Sequence, residues 1–141
     1  MKNQKGIALV EFALILPMLV MLLFLTTELG RAYYQYDTIT KAVRQAARYL
    51  SVRAQGSGIA GARNIIVYGN PDGTGAPLIP GLTLSNVPDP VWSTTGSYPV
   101  MNTVTVRVTG FTFVPLAGNV FGTRLDNIAF GTIQATMRSP S

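Results

Sequence analysis

The chain reads as an α+β protein: a long N-terminal helix packed against a small antiparallel β-sheet. Three observations predict this. From Ile7 to Leu25 there are nineteen residues, all apolar except Glu11. Directly after them, apolar or small residues recur at Leu29, Tyr33, Tyr36, Thr40, Val43, Ala47 and Leu50, in steps of four and three that draw one stripe on a helix. Beyond Gln55 the composition changes: twelve of the fourteen glycines lie there, with eight of the nine prolines beyond residue 70, so regular elements must be short.

The first run spans roughly 28 Å at 1.5 Å per residue, close to a bilayer core of about 30 Å. It follows a short tail carrying Lys2 and Lys5. Positive flanks stay cytoplasmic, so the tail is expected inside and the remainder outside. Pro17 removes one backbone donor and predicts a kink or a local loosening, which spanning helices tolerate. Glu11 is the costly residue, because a carboxylate in lipid is disfavoured by roughly a few kcal/mol and by default marks function. A cleaved secretory signal would share the charged tail, but no A-x-A-like site follows the run, and the helical stripe continues from it.

No Pro or Gly interrupts residues 31–55. The sequence predicts one helix from about Ile7 to Arg53, in lipid over 7–27 and amphipathic over 28–54, with "QGSG" (55–58) closing it. Asp37 and Lys41 form an acid-first i,i+4 pair on its polar side. The stripe is expected to face the chain's own C-terminal domain, 55–141, and neighbouring subunits at other heights.

In that domain "IAGARNIIVYG" (59–69) suits a short helix, with Ile59, Ala62, Ile66 and Ile65 on one side and a β-branched end that also permits strand. "NPDGTGAPLIPG" (70–81) is turn chemistry; it lacks the Lys-Ser/Thr ending of a phosphate loop. "GLTLSNV" (81–87) alternates like a strand, and 88–99 reads as a loop whose Trp92 and Tyr98 cover the core or meet a partner. "NTVTVRVTGFTFV" (102–114) is the strongest strand, with Val104, Val106 and Val108 on one face, Thr103, Thr105, Arg107 and Thr109 on the other, and a change of phase at Gly110. Residues 115–127 connect, and 128–138 form the last strand.

Composition narrows the function classes. The chain has no cysteine and no histidine, which excludes Ser–His and Cys–His nucleophile pairs, disulfides and thiolate or imidazole metal sites. No close acid pair suggests glycosidase chemistry. The charge of +5 is uneven: residues 1–53 carry seven bases against three acids, a net of +4, and residues 54–141 four against three, a net of +1. The basicity belongs to the leader and the long helix, not to a basic folded face, so no nucleic-acid partner is expected. No enzyme activity and no cofactor are expected either.

Taken in order, "GIALVEFALILP" with Gly6, Ile7, Glu11, Phe12 and Pro17, then "ELGRAYYQY" (28–36) and "AARYL" (46–50), residues 6–50 resemble the TadE-like family. These are pilin-like proteins of tight-adherence (Tad, or type IVc) pilus machines. Ala46 stands where the family often has Gly. The resemblance implies a leader of residues 1–6, cut by a prepilin peptidase between Gly6 and Ile7, which makes Glu11 the fifth residue of the mature chain. Gly6, without a Cβ, suits access to the backbone. The new amine of a neighbouring subunit is then the expected partner of Glu11 in lipid, setting axial register, with Phe12 beside it. The alternative for Glu11 is snorkelling to the cytoplasmic interface. The resemblance further implies a minor subunit of the bacterial inner membrane, acting in assembly, priming or at the tip. Its partners would be other pilin-like subunits, Tad inner-membrane assembly proteins and lipid. A static single-span protein with a ligand-binding outer domain and a secreted adhesive domain are the readings from other classes.

Overall fold

A computed structural model describes residues 4–116, 119–120, 123–124 and 126–139. Helix α1 runs from Gln4 to Ser51 without a break at Pro17. It ends a little before the expected Arg53. The Arg53 guanidinium folds back, donates to the Tyr49 carbonyl at 2.7 Å and lies 3.4 Å over the Tyr49 ring. That satisfies one of the carbonyls a helix end leaves open.

Helix α2, Ile59–Tyr68, packs on α1 and stays helical through its β-branched end. It buries Ala62, Ile65, Ile66 and Val67 and stops at Gly69, whose φ of 78° is the left-handed closing conformation. Gly61 lets the two helices meet: a Cβ there would come within 2.6 Å of the Tyr49 hydroxyl.

The main sheet has three antiparallel strands, β1 (Val91–Thr95), β2 (Met101–Val108) and β7 (Ile133–Arg138), in the order β1-β2-β7. Short pairs join β3 (Thr112–Phe113) to β6 (Ile128–Ala129), and β4 (Asn119–Val120) to β5 (Thr123–Arg124). Val104, Val106 and Val108 are buried as the alternation predicts. The outer face carries hydroxyl pairs, Ser93 with Thr103 at 3.0 Å and Thr105 with Thr136 at 2.8 Å. Gly110, at φ 67°, turns the chain out of β2, and Phe111 and Phe113 continue the core on the other side of that turn.

Three expectations for this domain are corrected. Residues 81–87 are not a strand: Leu84–Asn86 is a turn of 3₁₀ helix, because the Asn86 side chain accepts from the Thr83 amide at 3.0 Å and the Thr83 and Ser85 hydroxyls pair. Local side-chain bonds of this kind compete with a strand ladder. Residues 88–99 contain an edge strand, β1, which starts just after Pro90, a place where a missing donor costs the ladder nothing. Its Trp92 is partly buried against the core, whereas Tyr98 is 98% exposed and covers nothing. The expected last strand divides at Phe130–Thr132 into β6 and β7, and the connection 115–127 holds the β4–β5 pair.

The stripe of α1 is also rotated. Its buried residues are Glu28, Ala32, Ile39, Ala42, Val43, Ala46, Ala47 and Leu50, while Leu29, Tyr33 and Tyr36 are largely exposed. At 3.6 residues per turn, the shift from the expected line is roughly 70°. The alanines explain it: β2, β7 and α2 all contact α1, and small side chains allow close approach where tyrosines would not.

Candidate functional site

The residues singled out by sequence do not gather in a pocket. Gly6, Ile7, Glu11 and Phe12 follow one another on the first turns of α1, all exposed, with nothing within 4 Å of where a Gly6 Cβ would stand. From Gly6 to Val20 every residue is exposed to its surroundings. Lys2 lies outside the described residues. The backbone of Lys5 is helical, and its side chain is not described. Glu11 has no hydrogen-bond or ion-pair partner among the described residues. It is therefore an exposed acid on an apolar helix that no described group of this chain pairs.

Gly6 sits inside the first helical turns rather than in an extended leader. Glycine costs about 1 kcal/mol in a helix relative to alanine, so this turn opens more readily than its neighbours.

A second site, not foreseen from sequence, stands where the apolar run ends. Thr26 and Thr27 return their hydroxyls to the Leu22 and Leu23 carbonyls at 2.8 and 2.9 Å, so their polar groups are satisfied within the helix. Next comes Glu28, only 6% exposed. The Arg31 Nη1 donates to both carboxylate oxygens, at 3.1 and 3.3 Å, and the Leu116 amide donates to Oε2 at 3.4 Å. The Arg31 Nη2 donates to the Val114 carbonyl at 2.9 Å, and its guanidinium lies 4.9 Å over the Phe113 ring. Phe113, Phe111 and Tyr36 all surround Phe130, with centroids 5.5 to 6.4 Å away.

This clamp fastens residues 113–116 to α1 through two main-chain groups and one ring. Such bonds leave few buried polar atoms unmet at a helix–strand junction. Within "ELGRA" the pair is visible as an acid–base i,i+3 spacing. What the sequence could not supply was the third party, a segment more than eighty residues away.

Higher on the helix, Asp37 and Lys41 pair at 2.6 Å, as the spacing predicts. The hydrogen bond to Asp37, and then its charge, hold Lys41 above the ordinary lysine value of 10.5.

Set beside known proteins, residues 6–48 match the family model of TadE-like proteins. Neither the curated proteins nor the solved structures contain a match. The matched stretch is α1 almost alone, and it ends before α2 and the sheet begin. The match and the apolar helix fit a Tad pilus-associated membrane protein. α1 is long and apolar enough to cross a membrane once.

Proposed function

We propose that this chain is a minor pilin-like subunit of a Tad pilus machine. It is held in the inner membrane by residues 7–27, with the leader inside and the folded domain outside. A prepilin peptidase cuts it after Gly6, and it then enters assembly with other pilin-like subunits, priming the filament or joining its tip. The chain is the substrate of an enzyme and performs no chemistry of its own. The observation that supports this is the match of TadE-like proteins over 6–48, because the matched helix carries both Gly6 and the unpartnered Glu11.

The physical logic is short. Cutting creates an ammonium at Ile7, four residues before Glu11. A carboxylate in lipid is stabilised by an opposite charge at the same depth. Within one helix the first amine lies about 6 Å below Glu11, and a neighbour shifted by one turn brings its amine level with it. Pairing therefore fixes the step between subunits.

The test is the N-terminal sequence of the protein from its native membrane. A mature chain beginning at Ile7 is expected, and Gly6→Leu should leave the full-length form. Retention of Met1 or Lys2 in the wild type would overturn the processing step and favour a static single-span protein.

A further inference from the structure

The clamp at Glu28 holds an apolar segment beside the end of the membrane run. Leu116 is 80% exposed and Val114 61% exposed. Between them and the helix is a shallow groove lined by Leu25, Leu29, Phe113, Pro115 and Ile128, with Asp126 and Glu28 also along it. Glu28 is engaged by Arg31 and Leu116, so apart from the exposed Asp126 at its edge the groove offers hydrocarbon.

Its height on the molecule is fixed by the helix. Glu28 is three residues beyond Leu25, so it lies about 4.5 Å past the end of the apolar run. The interfacial layer of a bilayer is roughly 5–8 Å thick on each side of the hydrocarbon core. The Leu116 amide is 3.4 Å from the Glu28 carboxylate. Leu116, Pro115 and Val114 thus share the level of the head groups and glycerol backbones. Arg31, still partly exposed beside them, is placed among lipid phosphates.

We infer that residues 114–116, together with Leu25, Leu29 and Ile128, form a seat on the outer leaflet of the bilayer, so that the folded domain rests on the lipid rather than standing clear of it. The apolar surface is continuous with the span itself, which is what selects lipid as the occupant. Exposed leucine and valine in water, next to a helix already in hydrocarbon, gain by entering the interface. The seat rests on the proposed membrane insertion. It adds a second contact to that of the helix, and so fixes the tilt and rotation of the domain while the subunit waits in the membrane.

The chain contains no cysteine, so single cysteines are unique labelling points. The full chain is reconstituted in vesicles of phosphatidylethanolamine and phosphatidylglycerol. An environment-sensitive fluorophore is placed in turn at Leu116→Cys, Val114→Cys, Ile15→Cys and Tyr98→Cys, the last in the loop at the far end of the sheet. Nitroxides carried at head-group or mid-chain depth serve as quenchers. Labels at 116 and 114 should shift to shorter wavelength and be quenched several-fold more by the head-group nitroxide than the label at 98. The label at 15 should be quenched most by the mid-chain nitroxide. If 116 and 114 behave like 98 while 15 is quenched, the span stands and the seat is wrong. If 15 is also unquenched, the insertion reading fails and the seat with it. If 116 is shielded only at high protein-to-lipid ratio, with energy transfer between copies, a second subunit covers the surface and the lipid seat is overturned.

Discussion

In the first half of α1, from Ile7 to Val20, side chains face outward all round and the one acid, Glu11, finds no partner among the described residues. In the second half, from Glu28 to Leu50, one face is buried under the chain's own domain, and the first of its two acids, Glu28, is enclosed, with three contacts to Arg31 and Leu116. The helix is continuous, yet its halves are built for different solvents. The outer half is completed by the same chain and should be stable alone. The first half is covered by no part of the described chain, and in the proposed function lipid and other subunits complete it. Glu28 serves the fold through local donors, whereas Glu11 has none among the described residues, which is why assembly is proposed as its role.

Perturbations of the outer domain should rank accordingly. The largest effect is expected from Val106→Asp, which buries an unpaired charge at a fully buried position of β2 opposite Ala135 of β7. A loss of about 4 kcal/mol is expected, enough to unfold a small domain, read by urea titration of near-ultraviolet circular dichroism in micelles. Glu28→Ala comes next. It removes the carboxylate that receives Arg31 and the Leu116 amide, for about 1–2 kcal/mol, since Arg31 keeps the Val114 carbonyl and some solvent. Faster proteolysis near residues 113–116 should accompany it. Thr105→Asp, on the outer face, loses one hydroxyl pair with Thr136 and should cost within about 1 kcal/mol. Equal effects of Val106→Asp and Thr105→Asp would mean that β2 presents the other face to the core.

Smallest for the fold, Glu11→Ala should leave the outer domain unchanged and membrane insertion unharmed or improved, because the costly group has gone. Its effect should appear elsewhere, as loss of the protein from sheared filaments or from crosslinks to other pilin-like subunits. Normal co-assembly of a stable, cut Glu11→Ala protein would remove the distinction between the two glutamates and leave snorkelling as the better account of Glu11.

The exposed apolar run, the long helix, α2 and the valine face of β2 were all legible, because each rests on a local period that nothing distant overrides. Three features were not. The helix stripe was drawn through tyrosines, since size passes for burial in a sequence, yet the buried line runs through Ala32, Ala42 and Ala46. Residues 81–87 alternate like a strand, but Thr83 and Asn86 bond to each other first. β1 hides behind two prolines and a polar run because an edge strand needs neither an inward face nor every donor. At the candidate sites, Gly6 and Glu11 were read from spacing and resemblance. Glu28 was passed over because its meaning depends on Val114 and Leu116, which no local pattern connects to it.

The division of α1 also bears on how the chain is made. Ile39, Val43, Ala46 and Leu50 leave the ribosome well before the strand that covers them. Roughly fifty residues separate Leu50 from Val104, a delay of about 3–10 s at 5–20 residues per second. A bare apolar stripe held that long is exposed to aggregation. α2 follows α1 by only a few residues, within about three seconds at the same rate, and helices form in about a microsecond. Gly61 against Tyr49 lets it lie flat on α1 at once. Packing of α2 on α1 would therefore cover part of the stripe before β2 and β7 arrive.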